Sequence, residues 1–135
     1  MKTTYILSAA AIFFVSCFQP RKSSCITDFK ETISREPNAK SIDFHSVSCF
    51  PWDTVMLLAP YHYYEQIREE TGIVLPYNLS AADLDKAYFV FISQNKVQQI
   101  VPIERRNLDL GAYIRRRAFS NSYVLLSKDE MATVF

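Results

Sequence analysis

The pattern of apolar and polar residues is most informative between Cys49 and Gly72, in the segment CFPWDTVMLLAPYHYYEQIREETG. Its residues 54–59 are almost continuously apolar, which predicts a central strand buried on both faces. Pro60 ends this strand, because proline has no amide hydrogen to continue the ladder. A helical stripe follows over residues 62–71, and Gly72 is placed to adopt the positive φ that often ends a helix. We therefore expect the rest of the domain to pack on this strand–helix unit.

Upstream of this unit, the pattern predicts one helix and one strand. Asp28 and Glu31 have the spacing of a capping box, apolar residues recur around them at helical spacing, and Pro37 ends the helix. Residues 41–48 then alternate in polarity, which is typical of a strand with one buried face. A helix followed by a returning strand would bring the two ends of this region close together.

Downstream, the pattern predicts a sheet built from hairpins. Residues 87–92 form the strongest strand pattern of the chain, and Gln94-Asn95 stands where a tight turn belongs. The returning strand covers residues 96–103, and Pro102 indicates its end or an edge position. The remaining expected elements are a short helical turn from Ser80 to Asp83 within the connection 73–85, and two short strands over residues 119–126 and 131–135.

These elements predict an α+β fold, with a small antiparallel or mixed sheet of about five strands and two main helices packed on one face. Composition agrees, because 135 residues suffice for one domain, and 49% hydrophobic and 21% charged residues are ordinary for a globular protein. The chain has only two glycines, so we expect no glycine-rich phosphate loop. The predicted single domain covers residues 25–135.

Residues 1–16 have the features of a secretory signal peptide. Lys2 supplies a small positive region, and residues 5–15 form an apolar run that is shorter than the ~20 residues of a spanning helix. Ser16 is a small residue of the kind that precedes a cleavage site. Three interpretations stay open: a lipoprotein leader, secretion with cleavage elsewhere, and an uncleaved anchor.

The four residues Phe14-Val15-Ser16-Cys17 resemble the lipobox of bacterial envelope lipoproteins. In that family the leader is cut before the cysteine, which receives a diacylglyceryl thioether, and the new amino terminus is acylated. The resemblance implies a covalent lipid on Cys17, no other cofactor, and a tether over residues 17–24 to a membrane of the bacterial cell envelope. The outer membrane is favoured and the leaflet stays open. Such an anchor is nearly permanent, since each buried CH2 contributes ~0.8 kcal/mol.

The mature part resembles a group of small bacterial proteins, many of them predicted lipoproteins, over about residues 49–135. The shared pattern is Trp52-Asp53, an apolar strand, and Pro60-Tyr61 at the turn into a helix. This resemblance implies an architecture and no particular activity.

Two cysteines stay in the domain if Cys17 is lipidated. An exported domain meets oxidising conditions, so Cys25 and Cys49 are a candidate disulfide, which the predicted helix and strand would bring together. A closed loop of this length would contribute roughly 3 kcal/mol. Two buried free thiols are the alternative, and a catalytic thiol is a third interpretation, although no nucleophile signature surrounds either cysteine.

The densest group of candidate binding residues is aromatic and lies around the strand-to-helix turn. Such rings favour interfaces with a sugar, a peptide or a partner protein, while the alternative is an aromatic lid that closes the core. His62 has no accompanying residues at the spacing of a zinc or EF-hand site, so we expect no metal. The candidate surface consists of Trp52, Tyr61, His62, Tyr63 and Tyr64.

A second group is basic and lies in one segment, as Arg105, Arg106, Arg115, Arg116 and Arg117. Anionic lipid headgroups or an acidic partner would suit these charges, and a solvated loop is the favoured interpretation. Without the leader, the chain has 14 basic and 14 acidic residues, so nothing attracts it to nucleic acid and we expect no nucleic-acid partner.

Three functional hypotheses follow. The first is a non-catalytic envelope lipoprotein, a structural or binding module with an envelope protein or polymer as its partner. The second is an inhibitor or immunity-type lipoprotein that blocks a toxin or hydrolase through an exposed aromatic patch or a protruding loop. The third is a small hydrolase that uses Asp53, His62, Glu65 or Cys49, which requires these groups to converge in one pocket. We expect the first hypothesis, with no catalytic residues.

Overall fold

A computed structural model describes residues 22–36, 42–76, 79, 85–117 and 122–129 of the chain. These residues form four strands, three α-helices and one 3-10 turn. The strands are β1 (Thr54–Leu58), β2 (Lys86–Ser93), β3 (Lys96–Glu104) and β4 (Tyr123–Ser127). The helices are α1 (Lys22–Arg35), α2 (Tyr64–Thr71) and α3 (Leu110–Arg117), and the 3-10 turn is Phe44–Ser46.

The four strands form one antiparallel sheet in the order β3-β2-β1-β4. This confirms the predicted α+β fold, with four strands in the described part of the chain against the expected five or so. β1 is an inner strand, as its continuous apolar sequence indicated, and its Leu57 pairs with Phe89 of β2 and Val124 of β4. The strand predicted over residues 131–135 and the helical turn predicted from Ser80 lie outside the described residues.

Helices cover both faces of the sheet, and not one face as expected. Val55 and Leu57 belong to a core that includes Phe29 and Ile33 of α1 and Leu110 and Ile114 of α3. Met56 and Leu58 point to the opposite face and pack in a second core with Ile67 of α2. The physical reason lies in the strands, because β1 and β2 are buried at nearly every position and each face therefore needs a cover.

The strand predicted over residues 41–48 is wrong for the residues that the structure describes. Residues 44–46 form a 3-10 turn, whose start is capped by the Asp43 side chain as it accepts a hydrogen bond of 2.9 Å from the His45 amide. Phe44 and Val47 are still buried in the first core. The alternation of polarity therefore predicted the buried residues correctly, but it predicted the wrong backbone conformation.

Helix α1 begins earlier than its sequence signal, at Lys22 rather than near Asp28. Asp28 and Glu31 lie inside the helix, where the Glu31 carboxylate pairs with Arg35 one turn later at 2.9 Å. The helix therefore includes residues 22–24, which the sequence analysis assigned to the tether. A disulfide joins Cys25 of α1 to Cys49, with their Cα atoms 6.1 Å apart, so α1 is tied to the segment that enters β1.

The two predicted turns are confirmed by backbone geometry. Gln94 and Asn95 adopt positive φ angles of 50° and 61° between β2 and β3, as a tight hairpin turn requires. Gly72 ends α2 with a φ of 74°. Pro102 lies in β3, which is an edge strand of the four described, where a residue without an amide hydrogen is tolerated.

Helix α3 was not predicted, because the basic segment that contains it was interpreted as a solvated loop. Asp109 precedes the helix, and its carboxylate accepts a hydrogen bond of 3.2 Å from the Ala112 amide. Leu110, Tyr113 and Ile114 then form an apolar stripe at helical spacing that packs in the first core. The cap and the stripe are visible in the sequence, although Gly111 in the first turn weakens the pattern.

Candidate functional site

One end of the sheet carries a pocket beneath α3. At this end β1 and β3 finish while β2 and β4 begin, as the pairing of Leu58 with both Tyr88 and Tyr123 shows. α3 contacts β1 and β4 and closes the pocket from the side of the first core. The cavity has a volume of about 220 Å³. We call it the corner pocket, and its lining includes Ala59, Tyr61, Ala87, Arg105, Leu110, Gly111, Ile114 and Arg115.

The inner wall of the corner pocket is apolar. Ala87, Leu110 and Ile114 line it and are almost completely buried, so their positions are fixed by the core behind them. Ala59 adds a small side chain at the end of β1, where its amide donates a hydrogen bond of 2.8 Å to the Ser122 carbonyl oxygen. Such a wall favours an apolar group in the ligand and does not move to admit it.

The outer wall of the corner pocket carries three charged groups. Arg105 follows β3, Asp109 precedes α3, and Arg115 lies in the second turn of α3. The Arg105 Nε atom is 3.6 Å from an Asp109 carboxylate oxygen, in an exposed ion pair. None of the ion pairs found in the described residues involves Arg115. The pocket therefore has an excess of one positive charge at its mouth.

The aromatic cluster at the end of β1 consists of two exposed rings, one buried ring and one half-buried ring. The chain is extended here, with Tyr63 at φ −113° and ψ 113°, so successive side chains point in opposite directions. Tyr61 and Tyr63 are 63% and 71% exposed, whereas His62 is buried and Tyr64 is half-buried. Only Tyr61 of these four lines the corner pocket.

His62 is held inside the protein as a neutral imidazole. Its Nδ1 atom lies 2.9 Å from the Ala59 carbonyl oxygen, so Nδ1 carries the proton and donates it to that oxygen. Its Nε2 atom has no hydrogen-bond partner among the described residues. Burial lowers the pKa of His62 below its ordinary value, because a charged ring would lose its hydration. The rings of Tyr64 and Tyr88 meet the imidazole edge-on.

Tyrosine hydroxyls fix the neighbouring helix in place. The Tyr64 hydroxyl donates a hydrogen bond to the Leu79 carbonyl oxygen, and the Tyr123 hydroxyl donates one of 2.5 Å to the Glu70 carboxylate. Burial and the nearby carboxylate raise the pKa of Tyr123 to about 12, so this hydroxyl keeps its proton. These bonds join α2 to β4 and to the following connection, which gives Tyr64 a structural role.

Trp52 does not share a surface with the tyrosines. Its ring is buried in the first core against Phe91, and its indole Nε1–H donates a hydrogen bond of 2.6 Å to the Val47 carbonyl oxygen. It also precedes β1, whereas Tyr61 follows it. The five-residue surface expected from the sequence is therefore reduced to Tyr61 and Tyr63, since Trp52 and His62 face the interior.

The groups named for a hydrolase do not converge in the described residues. Asp53 precedes β1, and the His62 ring is hydrogen-bonded to Ala59 at the other end of this strand. Asp53 and Ala59 are six residues apart along the extended chain, which corresponds to roughly 20 Å. The Asp53 carboxylate accepts a hydrogen bond of 2.9 Å from the Gln94 amide, which lowers its pKa and fixes the β2–β3 turn. Glu65 is exposed on α2, and Cys49 is part of the disulfide.

The association of Tyr61 with Arg105 and Arg115 is the feature that the sequence analysis missed. Each residue was singled out, but in separate groups, because more than 40 positions separate the turn from the basic segment. Among the described residues, no group of three or more His, Cys, Asp or Glu side chains is placed to hold a metal ion. No described helix has the length and apolarity to cross a membrane.

Comparison with models of protein families, with curated proteins and with solved structures finds no match for this chain. The candidate site therefore rests on the geometry of the corner pocket alone.

Proposed function

We propose that the chain is an envelope lipoprotein, anchored through a lipid on Cys17, that binds a partner or ligand at the corner pocket. The observation that carries the binding role is the meeting of an exposed Tyr61 ring, an apolar wall and a surplus arginine around one cavity. Binding sites commonly combine an apolar cavity with a few polar groups that orient the ligand. The anchor is supported by the lipobox-like residues before Cys17.

The proposed role is recognition without chemistry. The pocket's charged groups are two guanidinium groups and one carboxylate that already caps α3. A guanidinium stays protonated at physiological pH, so it fixes a negative charge well and transfers protons poorly. Arginine and tyrosine are also the residues on which binding energy most often depends in protein interfaces.

A second candidate function is that of an inhibitor-type or immunity-type lipoprotein. The exposed rings of Tyr61 and Tyr63 favour it, because two neighbouring aromatic side chains on a fixed turn suit insertion into a partner's cleft. Under this candidate the partner is a toxin or a hydrolase of the envelope, and the corner pocket lies at the edge of the contact.

The anchor is tested by labelling cells with radioactive palmitate. The wild-type chain should take up the label and Cys17→Ala should not. Persistence of label in the Cys17→Ala variant would show that the lipid is elsewhere or that the leader interpretation is mistaken.

The binding role is tested by placing a photoreactive amino acid at position 61 of the full chain in its own envelope. Position 74 provides a matched control, since Val74 is 64% exposed and Tyr61 is 63% exposed, while Val74 lies outside the corner pocket. We expect discrete adducts from position 61 that are absent from position 74, and their masses identify the partner class. The same adducts from both positions, or none from either, would overturn the proposal.

A further inference from the structure

We propose that the corner pocket takes a carboxylate that bears a short apolar or aromatic group. This inference rests on the proposed function, since it names the ligand chemistry of the same pocket. It is carried by three independent features of the site: the balance of charge at its mouth, the size and polarity of its interior, and the space left by a glycine in the first turn of α3.

The charge balance favours a ligand with a single negative charge. Arg105 and Arg115 face one carboxylate, Asp109, which is already engaged by Arg105 at 3.6 Å and by the Ala112 amide at 3.2 Å. One positive charge is left, and it lies on Arg115. A carboxylate would neutralise it with two parallel hydrogen bonds to the guanidinium fork. A phosphate monoester brings a charge of about −1.5 to −2 and would leave an excess beside Asp109.

The interior of the pocket sets the size of the group that accompanies the carboxylate. Its volume of about 220 Å³ equals the liquid volume of about seven water molecules. That space holds one ring or a short aliphatic chain below the rim. The buried side chains of Ala87, Leu110 and Ile114 offer this group an apolar surface, while the exposed Tyr61 ring at the rim can cover it.

Gly111 keeps the space beside Arg115 open. A Cβ atom at this position would lie 3.3 Å from the Asp109 carboxylate and 3.4 Å from an Arg115 guanidinium nitrogen. The contact with Asp109 is tight and the one with Arg115 is an ordinary van der Waals contact, so a Cβ here would displace the Asp109 carboxylate by a few tenths of an ångström. Glycine disfavours a helix by about 1 kcal/mol relative to alanine. The Asp109 carboxylate and the Arg115 guanidinium both lie beside Gly111 at the mouth of the pocket.

Two sources can supply this chemistry, namely a free small acid and the C-terminal residue of a polypeptide. Both present a carboxylate next to an apolar side chain or ring. They differ in the atoms beyond the carboxylate, because a polypeptide continues as a backbone past the rim at Tyr61 and a small acid does not.

The test uses the two glycines of the chain as reporters. The full chain is labelled with 15N-glycine and held in phosphatidylcholine nanodiscs, so that its amide spectrum contains only Gly111 in the pocket and Gly72 after α2. Phenylacetate is titrated in, with phenylacetamide as its neutral analogue and inorganic phosphate as an anion without a ring. We expect phenylacetate to shift the Gly111 signal to saturation and leave Gly72 unmoved, with phenylacetamide and phosphate each at least tenfold weaker.

Two substitutions with the same change of charge assign the effect to the pocket. Arg115→Gln should weaken phenylacetate binding by about tenfold to a hundredfold, the loss typical of a charged hydrogen bond. Arg68→Gln removes an exposed arginine on α2, outside the corner pocket, and should leave binding unchanged. Equal binding of acid and amide, equal effects of the two variants, or parallel movement of Gly72 would each overturn the inference.

A last pair of ligands separates the two sources. A short peptide that ends in phenylalanine with a free carboxylate is compared with the same peptide amidated at its C-terminus. If the free peptide binds at least tenfold more tightly than phenylacetate, a polypeptide terminus is the source, and otherwise it is a small acid. If all carboxylates fail while position 61 still gives specific adducts, the ligand chemistry is refuted and the binding role stands.

Discussion

Removal of the disulfide between Cys25 and Cys49 should destabilise the domain by a calculable amount. The bridge closes a loop with a sequence separation of 24 residues. In the chain-entropy model a loop of this length contributes about 3.5 kcal/mol to the free energy of unfolding. The double variant Cys25→Ser/Cys49→Ser loses this constraint. It should stay folded at room temperature, because both cores remain and small domains are stable by about 5–15 kcal/mol.

The assay is equilibrium unfolding in urea, followed through the fluorescence of Trp52, which is the single tryptophan of the chain. With a slope of about 1–3 kcal/mol per molar urea, the midpoint of the double variant should fall by roughly 1–3.5 M. Reduced wild-type protein is the matched control and should unfold at the same concentration as the double variant. The intact mass of the oxidised protein should be about two hydrogens below that of the reduced protein.

Two results would refute this reasoning. A double variant with the midpoint of the oxidised wild type would show that the loop constraint contributes nothing. Two thiols that react with an alkylating agent in the native, non-reduced protein would show that the bridge is not formed.

The other predictions concern single residues. The pKa of His62 is lowered in the folded protein, so the unfolded chain binds more protons below pH ~6.5. The urea midpoint of the wild type should therefore fall as the pH is lowered from about 7.5 to about 5.5. The midpoint of His62→Phe should fall less over the same range. Gly72→Ala should lower the free energy of unfolding by about 1–2 kcal/mol, since a φ of 74° strains alanine although no atom obstructs its Cβ; an unchanged midpoint would contradict this. Trp52→Phe should lower the free energy of unfolding by about 1–3 kcal/mol, because the buried Val47 carbonyl loses its donor; since this variant lacks the fluorophore, it is compared with the wild type by far-ultraviolet circular dichroism in urea.

The central strands and the tight turns were predictable because their signals are local. β1 and β2 are apolar at successive positions, which only an inner strand tolerates. The turn at Gln94-Asn95 and the helix end at Gly72 each depend on a residue that accepts positive φ. Such features need no knowledge of what packs against them, so the sequence analysis located them to within one or two residues.

The covering elements were harder to predict, because their conformation depends on tertiary contacts. The 3-10 turn at Phe44 has the polarity pattern of a strand, and its shape is decided by the Asp43 cap and by burial of Phe44 against Phe89. The face of the sheet that α1 or α2 covers likewise cannot be predicted from the sequence of a strand that is apolar on both faces. Patterns of polarity report burial more directly than backbone conformation.

The corner pocket could not be predicted, since it is assembled by the strand order. Tyr61 follows β1, Arg105 follows β3, and Arg115 lies in α3, and only the antiparallel arrangement β3-β2-β1-β4 brings these ends together. In the sequence the tyrosine is a candidate ligand contact, and the arginines are a candidate contact for anions or acidic partners. No local signal in the sequence unites them.

The most direct test of the corner pocket as a binding site examines position 61 and Arg115 in one measurement. Adduct yield from a photoreactive residue at position 61 is measured in the full, anchored chain that also carries either Arg115→Gln or Arg68→Gln. If Tyr61 and Arg115 contact one ligand, Arg115→Gln removes most of the adduct and Arg68→Gln leaves it intact. Equal yields from the two variants would contradict the assignment of the pocket as a single site.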